Sequence, residues 1–249
     1  MAGHSKWSQI KRKKAVTDAR RGQLWTKILK EISVAARIGG GEPTGNPRLR
    51  TAIQEAKGAN VPNDNIDRAI KRGTGELDGV SYDEIVYEGY GPGGVAILVQ
   101  GLTDNRNRTV ADLRHLFSKN GGNLGDSGCV AWMFKKQGLF AIEKSSMSDE
   151  EFMELALELD VADFAIEDDT FEIYSEPEEF AVIREQLVDR EVPLASKELA
   201  MLPQNHVEVG ADQAEAVLRL MEALEDHEDV QHVWANFDID EQVLADRIG

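Results

Sequence analysis

Leu139-Phe-Ala-Ile-Glu143, Ser148-Asp-Glu-Glu151-Phe152 and Thr170-Phe-Glu-Ile-Tyr174 are the segments on which the fold turns. The first and last alternate or run apolar over strand length and are rich in Ile, Phe and Tyr. Between them, Ser148 stands three residues before Glu151, the spacing at which a side chain caps a helix start and is itself reciprocated. Phe152, Leu155 and Leu159 then recur at helical spacing. Val161–Ile166 extends the pattern as a second strand. Beyond Tyr174, Ser175-Glu-Pro177-Glu178 opens a helix carrying Phe180, Ile183 and Leu187, and a last strand runs from Val192 to Met201. Strand, helix, two strands, helix, strand is the ferredoxin-like order βαββαβ, expected over residues 135–203.

On the N-terminal side of this unit, Tyr82–Tyr90 and Val95–Leu102 read as strands joined by a turn at Gly91-Pro92-Gly93-Gly94. Gly89, Gly91 and Gly94 satisfy the letters of a dinucleotide fingerprint. The mechanism needs a helix N-terminus there, and a proline followed by a second strand occupies the place. Asn105–Lys119 is a helix with Val110, Leu113 and Phe117 inward, and 124–134, holding Cys129, Trp132 and Phe134, reads as a strand. On the C-terminal side come strand Val207–Val209, a helix bearing Ala214, Val217, Met221 and Leu224, strand Val230–Phe237 and a short terminal helix at 241–249. The earlier segment lacks a second helix and a closing strand, which the later one supplies. A central α/β domain, 77–134 plus 204–240, is therefore discontinuous, with 135–203 inserted into it.

Residues 1–76 form a third unit. Leu24, Ile28, Ile32 and Ala35 make one helical face; Asn46-Pro47 is a cap followed by proline at the first helical position; Pro62-Asn63-Asp64 starts a third helix, closed at Gly73. The fold class is α+β: a three-helix domain, then two α/β domains. Before them lies an arm, residues 1–20, too poor in apolar groups to offset the entropy of ordering.

Charge divides the chain in the same place. Residues 1–73 hold 16 Lys and Arg against six Asp and Glu, a net +10, while the whole chain is −17, leaving −27 on residues 74–249. A basic segment on an acidic chain points to a polyanionic partner, most often nucleic acid. Lys11, Arg12, Lys13 and Lys14 are candidates for phosphates and Trp7 for stacking on a base; the alternative is a solvated tail. Arg68, Lys71 and Arg72 lie opposite the apolar face of the third helix. Asn63, Asn65 and Arg68 are candidate base readers if the second and third helices act as a helix-turn-helix, or else ordinary capping and rim residues. Arg106 and Arg108, at a helix start, are an anion-contact candidate, against capping by Asn107 or Thr109 with ion pairs to nearby acids. Acids such as Asp149, Glu150, Glu151, Glu154 and Glu158 line helix exteriors, either for solvation or for docking a basic protein.

Gly3-His4-Ser5-Lys6-Trp7, Asp18 to Gly22 (with Arg20 and Arg21), Ala35-Ala36-Arg37, Asn46-Pro47-Arg48-Leu49-Arg50, Asp64-Asn65-Ile66, Tyr87-Glu88-Gly89-Tyr90-Gly91-Pro92 and Thr103 to Thr109 together resemble the YebC-type family. The likeness extends over the whole chain and is strongest in 1–135, with Trp25 where phenylalanine is expected. That family is described as probable transcriptional regulators, some of them DNA-binding; one mitochondrial branch acts in translation, and some bacterial members are ribosome-associated. The resemblance implies control of gene expression by nucleic-acid contact, with DNA or ribosomal RNA as target. It extends the candidate contacts to His4, Lys6, Arg20, Arg21, Arg37, Arg48 and Arg50.

Catalysis has little to stand on. His4, His115, His206, His227 and His232 show no zinc-type pairing with one another or with the single Cys129, and Asp168-Asp169 lacks the rest of a calcium loop. No metal or cofactor is expected. One cysteine, no apolar run of about 20 residues and no secretory leader fit a cytoplasmic protein that makes no membrane contact.

Overall fold

A computed structural model describes residues 18–167 and 169–239, with side chains from Arg21 onward. The arm with His4, Lys6, Trp7 and Lys11 to Lys14, the side chain of Arg20, residue Asp168 and the expected terminal helix lie outside the described residues.

The N-terminal unit is three helices, α1 (Asp18–Gly39), α2 (Pro47–Gly58) and α3 (Asn63–Thr74). Ile28, Ile32 and Ala35 of α1 pack on Leu49, Ala52 and Ala56 of α2 and on Ile66 and Ala69 of α3. Each fully buried Leu or Ile contributes about 2 kcal/mol. Asn46 fixes the first corner: its Oδ1 accepts from Leu49 N at 3.1 Å, while its Nδ2 donates to Ala35 O and Gly40 O at 2.8 Å. Leu24, expected inward, is exposed. Gly73 does not stop α3. The helix runs to Thr74, and left-handed Gly75 (φ 82°) ends it. At Gly73 α3 touches α1, since a Cβ there would collide with the Ser33 carbonyl.

The rest is built in four layers. β1 (Asp83–Tyr90) and β2 (Ala96–Thr103) pair antiparallel across the 3₁₀ turn Pro92–Gly94. With β3 (Asn123–Leu124) and β9 (Val230–Ala235) they form a sheet of order β3-β1-β2-β9. The second sheet, β5-β6-β4-β7, joins β4 (Phe134–Glu143), β5 (Asp163–Ile166), β6 (Thr170–Ser175) and β7 (Leu194–Pro203), every neighbouring pair antiparallel. This is the ferredoxin-like arrangement, inserted between β3 and β8 (Val207–Val209). β8 pairs in parallel with β10 (Phe237–Ile239) in a small separate ribbon.

Strand alternation assigns each side chain its layer. Val95, Ile97, Val99, Val233 and Ala235 face α4 (Arg106–Lys119) and α7 (Ala211–Glu225). Ala96, Leu98 and Trp234 point the other way and meet Leu139, Tyr174, Ala200 and Leu202 of the second sheet. Phe140, Ile142, Phe171 and Ile173 turn outward under α5 (Asp149–Glu158) and α6 (Phe180–Asp189). The Ser148–Glu151 capping box of α5 is present in full. α6 starts at Phe180, later than its Ser-Glu-Pro signal.

One expected strand is absent. Residues 125–130 are a loop, Ala131–Met133 a 3₁₀ turn, and β4 begins at Phe134. The cause is Glu88 of β1, whose carboxylate accepts from the N–H groups of Gly128, Val130 and Ala131 at 2.6–2.7 Å. A buried carboxylate thus collects donors that a sheet would have used. Burial alone would raise the Glu88 carboxyl; the three N–H donors hold it below its ordinary range. Cys129 accordingly sits in this loop, partly buried, not in a strand.

Candidate nucleic-acid interface

Helix α3 presents Arg68, Lys71 and Arg72 at spacings of three and four residues, all exposed, opposite the buried Ile66 and Ala69. Among the described residues, none of the three cations pairs with a carboxylate. Arg68 donates to Asn65 Oδ1 at 2.7 Å and to Asp64 O at 3.1 Å, and Arg72 lays its methylenes on Gly79. Asn63, at the first turn of α3, is exposed.

Asn65, Arg68 and Arg72 form one wall of a cleft of about 520 Å³. Thr26, Leu29, Lys30 and Ser33 of α1 form the opposite wall, and the linker Asp78-Gly79-Val80 with Tyr82 closes the end. Asn65 and Arg68 therefore border a concavity, Asn65 half-buried and Arg68 exposed. α2 and α3 each pack on α1, a three-helix packing in which α3 is not offered as a free recognition helix.

A second stripe of cations runs along α1 and does something different. Lys27 Nζ donates to Glu225 O at 2.5 Å. Lys30 is buried, with Nζ 2.7 Å from Asp229 Oδ1 and 3.1 Å from Glu228 O, above the Tyr82 ring. Arg37 donates to Tyr82 O at 2.6 Å and to Ser81. Arg48 bridges Glu31 (2.6 Å) on α1 and Glu84 (2.9 Å) at the start of β1. These groups hold the helical unit to the central domain. Arg50 is exposed, with long contacts to the Pro43 and Thr44 carbonyls, and Arg21 is exposed near the start of α1.

Asp229 is the centre of that junction. Fully buried, it accepts from Lys30, Arg108 (2.8 Å), Thr103 (3.1 Å) and Thr109 (2.7 Å). Burial would raise this carboxyl, but Lys30, Arg108 and Thr109 hold it well below the usual carboxylate range. The Arg106–Arg108 corner is thereby drawn into ion pairs, Arg106 to Asp83 at 3.0 Å and Arg108 to Asp104 and Asp229 at 2.8 Å. The cap of α4 is Asn105, not Asn107 or Thr109: its side chain accepts from Arg108 N.

Residue counting did not identify Lys27, Lys30 and Asp229 as a junction. One signal was available: buried Val34 lies between Lys30 and Arg37 at helical spacing, marking a second packed stripe on α1. Among the described residues, no group of three or more His, Cys, Asp or Glu is placed to hold a metal, and no helix is long and apolar enough to cross a membrane.

Comparison with known proteins covers nearly the whole chain. The model of the TACO1/YebC protein N-terminal domain matches residues 5–76, and that of the TACO1/YebC second and third domain matches 82–237. A protein of Natranaerobius thermophilus is 55% identical over 247 residues, spanning 98% of this chain and 99% of that one. One of Syntrophobacter fumaroxidans is 55% identical over 249 residues, all of both chains. Each carries the name "probable transcriptional regulatory protein". Among solved structures, the conserved hypothetical protein Aq1575 of Aquifex aeolicus superposes with a TM-score of 0.83 at 46% identity, covering 91% of this chain and 94% of that one. The chain belongs to the TACO1/YebC family.

Proposed function

We propose that this protein regulates gene expression by binding nucleic acid through its N-terminal helical unit, without catalysing a reaction. The observation that carries this reading is the set of cations on α3, Arg68, Lys71 and Arg72, which pair with no carboxylate among the described residues, on a molecule whose remaining surface is strongly acidic. Phosphate contacts supply most of the affinity of such a surface, and the acidic domains repel bulk polyanion, confining contact to the helical unit. The names of the relatives favour a regulator of transcription; DNA is the target proposed for it. The basic arm would add contacts, with Lys11 to Lys14 on phosphates and Trp7 on a base.

Ultraviolet crosslinking in cells, followed by separate DNase and RNase digestion of the attached material, tests the reading. DNase-sensitive fragments enriched at particular promoters are the expected result. Fragments of ribosomal RNA would instead make the protein a translation factor. Recovery of a protein partner that resists both nucleases would make it a docking scaffold.

A further inference from the structure

The cleft between α1, α3 and the 78–82 linker suits one kind of nucleic-acid feature better than others. We infer that it receives a single unpaired nucleotide, so that the protein prefers strands with an extruded or bulged base over perfect duplex. This rests on the nucleic-acid reading above and narrows it.

Shape comes first. Major-groove readout needs side chains that project from a convex helix to base edges at the groove floor. Here Asn65 and Arg68 line a concavity, and Arg68 is hydrogen-bonded back onto α3. A duplex cannot enter such a cleft, but a nucleotide swung out of its stack can. The volume, about 520 Å³, falls within the range of sites that enclose small molecules, ~300–1,000 Å³.

The lining matches the parts of a nucleotide. Leu29, Ala69 and Val80 are apolar surfaces for the faces of a base, and Tyr82 supplies an aromatic ring. Asn65, its Oδ1 already accepting from Arg68, supplies its Nδ2 donor for a base edge. Arg68 and Arg72, exposed wall residues, stand where the flanking phosphates would pass, and Lys71 lies exposed beside them on α3. Arg72 passes close over Gly79, where a Cβ would come within 3.1 Å of its side chain. Lys30 lies deeper but is already neutralised by Asp229, so the floor is not a phosphate site. Cations at the mouth and a less charged interior orient the ligand phosphate-out and base-in.

The test uses the full chain and short labelled duplexes, in RNA and DNA versions. One is perfectly paired, one carries a single unpaired adenosine, one an abasic residue at that position, and one 2-aminopurine there. Binding is followed by anisotropy at fixed salt and by 2-aminopurine fluorescence. The bulged duplex should bind about tenfold tighter than the perfect one, within what stacking and enclosing one base supplies. The abasic version should lose that gain, and 2-aminopurine emission should change on binding. Val80→Trp, at an exposed cleft residue, should bring the ratio of bulged to perfect affinity close to unity. The arm that shows the gain identifies the source, RNA or DNA. Equal affinity for bulged and perfect duplex in both arms, or unchanged 2-aminopurine emission, overturns the inference while leaving nucleic-acid binding intact. No salt-sensitive binding to any duplex would overturn both.

Discussion

Lys30 and Arg72 line opposite walls of one cleft, yet only Lys30 is tied to an acid. Lys30 is buried against the carboxylate of Asp229, which also takes Arg108 and two threonine hydroxyls. Arg72 is exposed and, among the described residues, pairs with no acid. Both entered the count of positive charge on the basic segment with equal weight. Net charge thus overstates the surface available to a polyanion, because part of it holds the helical unit to the central domain. If that division is right, substitutions at the junction should cost stability and substitutions on α3 should cost binding.

The largest effect should come from Asp229→Ala. It leaves Lys30 buried without its counter-ion and removes one acceptor each from Arg108, Thr103 and Thr109, at a cost of about 3 kcal/mol. Urea denaturation followed by tryptophan fluorescence measures it. A loss under ~0.5 kcal/mol would mean that the junction holds nothing and that Lys30 and Arg72 are equivalent after all.

Next is the triple substitution of Arg68, Lys71 and Arg72 to alanine. Stability should hold within about 0.5 kcal/mol, since these are surface positions. Affinity for nucleic acid should fall about 30-fold at moderate salt, and the slope of log K against log salt should flatten by about 2–3, one for each phosphate no longer neutralised. An unchanged slope would place the interface elsewhere on the chain.

Glu88→Gln sharpens the comparison within the acidic part, where a carboxylate is structural. It should cost about 2 kcal/mol at neutral pH, the value of charge-assisted bonds to three backbone donors less what a neutral amide retains. The native carboxyl lies below its unfolded value, so its contribution is present above about pH 4.3 and lost as pH falls through the native value. Stability of the variant should therefore decline less steeply on acidification below about pH 5. A parallel decline in both proteins would show that Glu88 carries no such linkage.

These residues also mark how far the fold and the cleft were legible in the chain. Asn46-Pro47 and the Ser148–Glu151 box are local devices, written within four residues, and both form as their spacing requires. The apolar runs of β2 and β4 disclosed the sheets because each strand is packed on both faces. Asp229 has no local signature: its partner Lys30 is 199 residues away, and an acid among many acids attracts no notice. The same holds for Glu88, which made a loop of 125–130 within an expected strand by capturing backbone donors some 40 residues on. In the cleft, Asn65 and Arg68 were recognisable as candidates, but which way they face depends on α1 and on a glycine in the linker that follows α3.

Arg106→Ala should have the smallest effect. Its ion pair to Asp83 is 3.0 Å long but exposed on both sides, 61% and 59%, a setting in which such pairs are worth ~0–1 kcal/mol. Its remaining contact, to Glu84 O at 3.4 Å, is weak. Stability should change by less than about 0.5 kcal/mol, and nucleic-acid affinity by less than about twofold, because Asp83 and Asp104 would repel an approaching phosphate as strongly as Arg106 attracts it. The salt slope is the sensitive readout. If Arg106→Ala lowered it by about one, Arg106 would be releasing counter-ions from a phosphate despite its partner. An ion pair would then no longer withhold a cation from a polyanion, and the distinction drawn between Lys30 and Arg72 would have to rest on burial alone.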